Sequence, residues 1–223
     1  MRGQCRTRHS VRGETPVNPT NLNFLILAAL LLASPSPATA QSQAEILVAA
    51  MQDGGKVIYL RHAATNPNEV DTGRLGDRAG QRNLSPAGIE QAKEIGRAFS
   101  SLHIPVNEVL ASPVFRARDT AELAFGVDRV MVTMDIVADE YAGSQLRQML
   151  DAIPWLLRTR AGPGMNRIMV GHRTPLEMVM KRSFPDTVLP EGGMAVFQPG
   201  EDTPRLLGTI SGERFIQSAN SRR

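Results

Sequence analysis

The sequence predicts an α/β fold of three layers, α/β/α, around a mostly parallel central sheet. Short apolar runs alternate with longer segments of helical periodicity, which is typical of parallel strands joined by crossover helices. Residues 57–60 are apolar throughout and follow Gly54-Gly55, as expected for a buried strand. The last two strands flank a turn at residues 199–202, so we expect this pair to be antiparallel.

Residues 1–40 have the features of a signal peptide. Residues 22–33 contain a run of about ten apolar residues, too short to cross a bilayer, and four arginines precede it. Ala38-Thr39-Ala40 fits the small-x-small cleavage rule, so we predict cleavage after Ala40 and a single domain over residues 41–223. An uncleaved membrane anchor is the alternative.

The composition of residues 41–223 excludes several classes of protein. The leader holds four of the 25 basic and one of the 22 acidic residues, which leaves 21 of each. A balanced charge gives no reason to expect a nucleic acid or a membrane surface as partner. Cys5 is the only cysteine and lies in the leader, so the domain has no disulfide, thiol nucleophile or cysteine metal site. This composition suits a periplasmic or secreted protein.

The predicted strands and helices follow in a regular order. We predict strands over residues 57–60, 109–111, 130–134, 167–171, 194–198 and 205–210. We predict helices over residues 43–51, 85–102, 112–124, 144–160 and 175–182. A serine followed by proline, at Ser85-Pro86 and again at Ser112-Pro113, predicts a capped helix start. Pro154 predicts a kink or a break, and residues 66–83 predict a long, functional or mobile loop.

Three predicted strands end in polar residues that suit a phosphoryl group. Arg61-His62 follows the first strand, the segment from Ser112 to Arg116 follows the second, and His172 follows the fourth. Parallel strands bring such ends to one edge of the sheet. Guanidinium groups match phosphoryl oxygens, and a neutral imidazole can attack phosphorus to form phosphohistidine. A carboxylic acid must then protonate the leaving oxygen.

Four sequence blocks occur in an order that resembles the histidine phosphatase superfamily, in its phosphoglycerate mutase-like branch. The blocks are Leu60-Arg61-His62-Ala63-x-Thr65, Leu84-Ser85-x-x-Gly88-x-x-Gln91-Ala92, Ser112-Pro113-x-x-Arg116-Ala117-x-Asp119-Thr120-Ala121 and Val170-Gly171-His172. The resemblance implies a phosphoglycerate mutase-like fold and a metal-independent phosphatase without a cofactor.

The resemblance also assigns roles to individual residues. It implies His62 as the nucleophile, Arg61 and Arg116 as phosphate clamps, and His172 as the second imidazole at the phosphoryl group. Taken singly, three of these residues are better explained in another way: Arg61 as a surface ion-pair partner, Arg116 as a helix-face cation and His172 as a core histidine. Asn68 lies six residues after His62, near where mutase-like members carry an asparagine, so it is a further binding candidate.

Two positions depart from the family pattern, namely the proton donor and the residue after the nucleophile. Mutase-like members place a glutamate before a glycine, and here the segment is Asp139-Glu140-Tyr141-Ala142-Gly143. Spacing favours Asp139 and residue type favours Glu140; we take Glu140 as the predicted acid. The family usually has glycine after the nucleophile, where this chain has Ala63, which would resist a positive φ.

These features predict a secreted phosphatase that hydrolyses a small phosphorylated substrate through phosphohistidine. Export suggests a phosphomonoester such as a phosphorylated sugar of the cell envelope. The alternatives are a non-catalytic phosphate-binding or envelope interaction protein on the same fold, or a phosphohistidine phosphatase. We predict no stable membrane span after removal of the leader, and four arginines (Arg74, Arg78, Arg82 and Arg173) are either a second anion site or ordinary surface charge.

Overall fold

The computed structural model of the protein describes residues 37–221. The leader predicted for residues 1–40 falls mostly outside this range and stays a prediction. Six strands form one sheet in the order β3-β2-β4-β1-β5-β6. The strands are β1 (Val57–Arg61), β2 (Val106–Ala111), β3 (Val130–Val132), β4 (Asn166–Gly171), β5 (Met194–Gln198) and β6 (Arg205–Ile210).

The sheet is mostly parallel, as the sequence predicts. Strands β3, β2, β4 and β1 run parallel to one another, whereas β5 pairs antiparallel with both β1 and β6. The helices are α1 (Pro37–Gln52), α2 (Pro86–Ser101), α3 (Phe115–Phe125), α4 (Asp139–Ala142), α5 (Leu146–Arg158), α6 (Arg173–Met180) and α7 (Gly212–Asn220).

Helices pack through apolar side chains on both faces of the sheet, and this gives the three layers. In β1, Ile58 and Leu60 join the cluster that holds Phe215 of α7, together with residues of α1, α2 and α3. Val57 and Tyr59 point the other way, into a cluster with residues of α5 and α6. Every residue of β1 is buried, because alternate side chains of a strand point to opposite faces and here each face is covered.

The start of α2 explains the second sequence block. Ser85 caps the helix by accepting a hydrogen bond from the Gly88 N–H at 3.0 Å, as the serine-proline pair predicts. Gly88 must be glycine because a Cβ there would lie 1.9 Å from the Ala64 carbonyl oxygen. The helix therefore packs directly against the segment that follows β1.

The second predicted serine cap is wrong. Helix α3 begins at Phe115, and its N-cap is Val114, which has no side-chain cap. The Ser112 hydroxyl is engaged with His172 instead, at 2.8 Å. Gln81 supplies the missing acceptor, because its Oε1 accepts from the Phe115 N–H at 2.9 Å.

Other boundaries also differ from the prediction. Pro154 lies inside α5 without dividing it, since burial of an apolar face outweighs the one hydrogen bond that proline removes. The sequence reading missed the short helix α4 and the C-terminal helix α7, whose Ser211 cap accepts from the Arg214 N–H. Within residues 37–221, no helix is long and apolar enough to span a membrane.

Candidate active site

Three strand ends meet at one edge of the sheet. Arg61 at the end of β1 pairs in register with Gly171 at the end of β4, and Ala111 of β2 pairs with Val170. The backbone ladder continues one residue further, since His62 N–H donates to the Gly171 carbonyl at 3.0 Å. Parallel pairing therefore brings His62 and His172 together, although 109 other residues separate them in sequence.

The two imidazoles face one another in a buried position. Their ring centroids are 5.4 Å apart with an interplanar angle of 53°, and each residue is only 4% exposed. Arg61 and Arg116 are buried as well, at 8% and 4% exposed. The structure thus collects the four residues that the resemblance assigns to the phosphate.

The hydrogen bond of His62 defines which of its nitrogens is free. Nδ1 lies 2.9 Å from the Ala63 carbonyl oxygen, which can only accept, so Nδ1 carries the proton. The lone pair is then on Nε2, the atom available to attack phosphorus. Ala63 does not have a positive φ. Among the described residues other than glycine, only His103 and Lys181 have one. Alanine is therefore unstrained after the predicted nucleophile.

His172 is fixed by Tyr59 and Ser112. The Tyr59 hydroxyl donates to the His172 carbonyl at 2.9 Å and accepts from the His172 N–H at 3.2 Å. Ser112 Oγ accepts from the Val114 N–H at 3.3 Å and lies 2.8 Å from His172 Nε2. The serine O–H has this Nε2 as its partner, so we assign the imidazole proton to Nδ1.

Carboxylates and carbonyls hold the outer edge of each arginine. Arg61 Nη1 donates to Asp186 and, at 2.8 Å, to the Leu189 carbonyl. Arg116 donates from Nη1 to Asp71 at 3.0 Å and from Nη2 to Glu140 at 2.7 Å. Both guanidinium groups are therefore oriented before any ligand arrives, which favours binding because little side-chain freedom is left to lose.

Several buried donors at this site have no hydrogen-bond partner. Five buried polar side-chain atoms in the described chain have no hydrogen-bond partner. Four are nitrogens at this site, and the fifth is the carboxyl oxygen Asp139 Oδ1. The four nitrogens are Arg61 Nε, Arg82 Nε, Arg116 Nε and His172 Nδ1. Unpaired buried donors are costly, and an anion with several oxygens would satisfy them together.

Burial, together with the nearby cations, keeps both imidazoles neutral. Burial, followed by the positive charge of Arg116, lowers the pKa of His62 from 6.5 to about 3. Burial and the charges of Arg116, His62 and Arg61 also lower the pKa of His172 well below its usual value. A neutral imidazole is the nucleophilic form, so the low pKa leaves His62 in that form at physiological pH.

The two acid candidates lie side by side on α4 in different environments. Glu140 is 42% exposed at its side chain and is paired with Arg116. Asp139 is partly buried, and burial, followed by the charge and a hydrogen bond of Glu140, raises the pKa of its carboxyl. A general acid must hold its proton near working pH, so the raised pKa of its carboxyl favours Asp139 over the predicted Glu140.

Asn68 is not brought to the cluster by any contact of the described residues. It is exposed in the loop over residues 66–83, and its backbone N–H donates to Asn66 Oδ1 at 3.1 Å. Asn68 therefore stays a prediction that the geometry does not support.

The arginines considered as a second anion site have separate positions. Arg78 forms a bidentate pair with Asp119 and lies over the Phe115 ring at 3.9 Å, and Arg173 pairs with Asp186. Arg74 pairs with Asp77. Arg82 Nη2 lies 3.7 Å from Glu191, its buried Nε has no hydrogen-bond partner, and its charge contributes to the low pKa of His62, so it lies near the imidazoles.

Sequence reasoning missed residues that support the site from other elements. Tyr59 sits inside an apolar run and Asp71 in a polar loop, so neither position looks unusual in the sequence. Glu191 accepts from the Thr65 hydroxyl at 2.7 Å and lies 3.9 Å from Arg61 Nη2. Only the fold brings these partners to the strand edge.

Comparison with known proteins relates the chain to a known family. Residues 57–152 match the family profile of the histidine phosphatase superfamily (branch 1). The first three sequence blocks lie within this stretch, and the match supports phosphatase activity. No curated protein matches the chain.

Two solved phosphatase structures with TM-scores of 0.50 and 0.51 share the fold of this chain. An Escherichia coli protein assigned as an alpha-ribazole-5'-P phosphatase is 16% identical, with a TM-score of 0.51, over 70% of this chain and 97% of its own. The alpha-ribazole phosphatase of Shigella flexneri is 15% identical, with a TM-score of 0.50, over 70% and 96%. The phosphoserine phosphatase of Entamoeba histolytica is 15% identical, with a TM-score of 0.48, over 71% and 98%.

The buried neutral histidines predict that this phosphatase-fold domain loses stability in acid. The unfolded chain protonates His62 near pH 6.5, whereas the folded chain does so only near pH 3. Because the unfolded state binds more protons in this window, the free energy of unfolding should fall as the pH is lowered, by up to about 1.4 kcal/mol per pH unit for one group. Urea unfolding between about pH 6.5 and about pH 4 measures the slope.

A His62→Asn variant provides the control for this slope. Asparagine keeps the polar volume but does not titrate, so the variant should show a shallower decline than the wild type. Equal slopes in the two proteins would contradict a depressed pKa at His62.

Proposed function

We propose that this histidine phosphatase is a secreted, metal-independent phosphomonoesterase that acts through a phosphohistidine at His62. The observation that carries the proposal is the set of four unpartnered buried donors around two neutral imidazoles. A tetrahedral dianion supplies acceptors for all of them, and the adjacent His62 Nε2 is a free nucleophile. The match of residues 57–152 to the histidine phosphatase profile supports the same chemistry.

The reaction follows from these residues. His62 Nε2 attacks phosphorus in line with the leaving oxygen, and the P–O bond to the alcohol breaks as the P–N bond forms. Arg61, Arg82 and Arg116 stabilise the charge on the equatorial oxygens, together with His172 Nδ1–H. A protonated Asp139 delivers its proton to the departing alkoxide. Water then attacks the phosphohistidine and gives a proton to Asp139. The P–N bond breaks, phosphate is released and His62 is regenerated.

The substrate is expected to be a small phosphomonoester outside the cytoplasm. The leader predicted for residues 1–40 supports export, and a phosphorylated sugar of the cell envelope fits that compartment. The balance of charge at the site supports a substrate with a single phosphoryl group, because Arg61 and Arg116 also pair with Asp186, Asp71 and Glu140. These carboxylates leave little excess positive charge for a second phosphate.

Hydrolysis of para-nitrophenyl phosphate by the full chain, with and without EDTA, tests the proposal. We expect turnover that EDTA leaves unchanged, since His62 needs no metal to act as nucleophile. Within residues 37–221, no group of three or more His, Cys, Asp or Glu side chains is arranged to hold a metal ion. Added Mg²⁺ or Zn²⁺ after EDTA treatment serves as the control for slow chelation.

Two results would contradict the proposal. Loss of activity with EDTA that metal restores would place a metal in the reaction. Tight binding of inorganic phosphate without any turnover would favour the non-catalytic phosphate-binding alternative. A panel of sugar phosphates, nucleotides and phosphohistidine, assayed by phosphate release, then ranks the substrate classes by kcat/KM.

A further inference from the structure

The loop over residues 66–83 contacts the site through Asp71, which pairs with Arg116. Its two ends are joined by the isolated bridge between Thr65 and Leu84 and by the bond from the Asn66 N–H to the Asn83 carbonyl at 3.0 Å. Further out, Thr72 N–H donates to the Gly80 carbonyl at 2.8 Å. The loop therefore has a defined course, although its only regular element is a three-residue 3-10 turn.

Asp71 is the point at which this loop meets the catalytic elements. Its Oδ1 accepts from the Tyr141 hydroxyl at 2.5 Å, from Arg116 Nη1 at 3.0 Å and from the Arg82 backbone N–H at 3.0 Å. These three donors belong to α4, to α3 and to the returning side of the loop. This one oxygen therefore links Arg116 of α3 and the loop segment at Arg82 to α4, the helix that carries the two acid candidates.

We propose that Asp71, with Tyr141 as its partner, is a positioning residue for catalysis. It acts by orienting Arg116 and the acid-bearing helix α4 relative to the phosphoryl group. This inference rests on the proposed phosphatase function and goes beyond the residues that the sequence blocks contain. Asp71 does not touch the reacting atoms, so its effect passes through the groups that it holds.

The contacts of Arg116 show why this support matters. Asp71 and Glu140 hold Nη1 and Nη2, which directs the remaining N–H groups, including the unpartnered Nε, to the buried side. Removing one carboxylate lets the planar group rotate about its last torsions, and bidentate binding depends on that plane.

Helix α4 needs the same support. It has four residues and no side-chain cap, so its own hydrogen bonds fix it weakly. Tyr141 anchors it to Asp71, and Asp139 lies two residues earlier. A shift of the helix would therefore move the proton donor away from the leaving oxygen, to which transition-state stabilisation is sensitive.

The test compares the full chain with Asp71→Asn, Tyr141→Phe and the double variant. We expect Asp71→Asn to lower kcat/KM for para-nitrophenyl phosphate about tenfold, mostly in kcat, and to weaken inorganic phosphate about threefold by titration calorimetry. Tyr141→Phe should lower kcat/KM about threefold, and the double variant should lose less than the product of the single effects. Such coupling and the kcat loss separate positioning from a general loss of stability.

Asp119→Asn is the matched control. It removes another carboxylate that ties the same loop to α3, through Arg78, without touching Arg116. We expect kcat/KM within about twofold of the wild type. Equal losses in Asp119→Asn and Asp71→Asn, or multiplicative effects in the double variant, would overturn the positioning role.

The phosphate titration separates this inference from the proposed function. If the wild type binds phosphate but hydrolyses nothing, the phosphatase proposal fails, whereas weaker binding by Asp71→Asn still supports the orientation of Arg116. If the wild type turns over and Asp71→Asn matches it in kcat and in phosphate affinity, the positioning role fails alone.

Discussion

Replacing His62 by alanine should lower kcat for para-nitrophenyl phosphate by about 10⁴-fold or more. The substitution removes the free Nε2, and the other buried imidazole cannot replace it because His172 Nε2 is engaged with Ser112 at 2.8 Å. Inorganic phosphate should still bind, since the three arginines remain. Steady-state assays and calorimetry measure the two quantities separately.

Two observations make the His62 experiment decisive. His103→Asn is the matched control, because His103 is exposed at the end of α2, and asparagine tolerates its positive φ of 53°. Rapid quenching in base followed by mass spectrometry should reveal phosphohistidine in the wild type and in His103→Asn but not in His62→Ala. A His62→Ala protein that keeps more than about one hundredth of the activity would rule out covalent catalysis at this position.

Replacing Asp139 by asparagine should lower kcat by about 10²-fold for alkyl phosphates and far less for para-nitrophenyl phosphate. Alkoxides need a proton as they leave, whereas a nitrophenolate leaves without one. The raised pKa of Asp139 keeps the acid form populated to higher pH than for an ordinary carboxyl. Activity on alkyl phosphates should therefore fall as the pH rises through that pKa, and Asp139→Asn should remove this limb of the profile.

Glu140→Gln is the companion variant for the proton donor. Glu140 pairs with Arg116, so its loss should raise KM for both substrate types by a similar, small factor and leave the pH limb in place. If Glu140→Gln instead shows the strong dependence on the leaving group, Glu140 is the donor, as residue type in the sequence suggests.

Local patterns account for much of the fold. The Ser85-Pro86 helix start and the turn before β6 are set by residues adjacent in sequence, and the apolar run before Arg61 marks a buried strand whichever strands it pairs with. The Ser112 cap failed for the opposite reason. Its hydroxyl has a competing partner 60 residues away, and no local pattern reveals that partner.

The sequence by itself predicted the alternation of strands and helices, the resemblance to the histidine phosphatase superfamily and the four residues Arg61, His62, Arg116 and His172. The order of the four blocks along the chain was sufficient there, because it selects together residues that singly have ordinary structural explanations. Only the tertiary structure shows which groups orient that cluster and that the Asp139 carboxyl has a raised pKa. Tyr59, Asp71 and the choice between Asp139 and Glu140 depend on burial and on charges from distant segments, and those quantities exist only once the chain has folded.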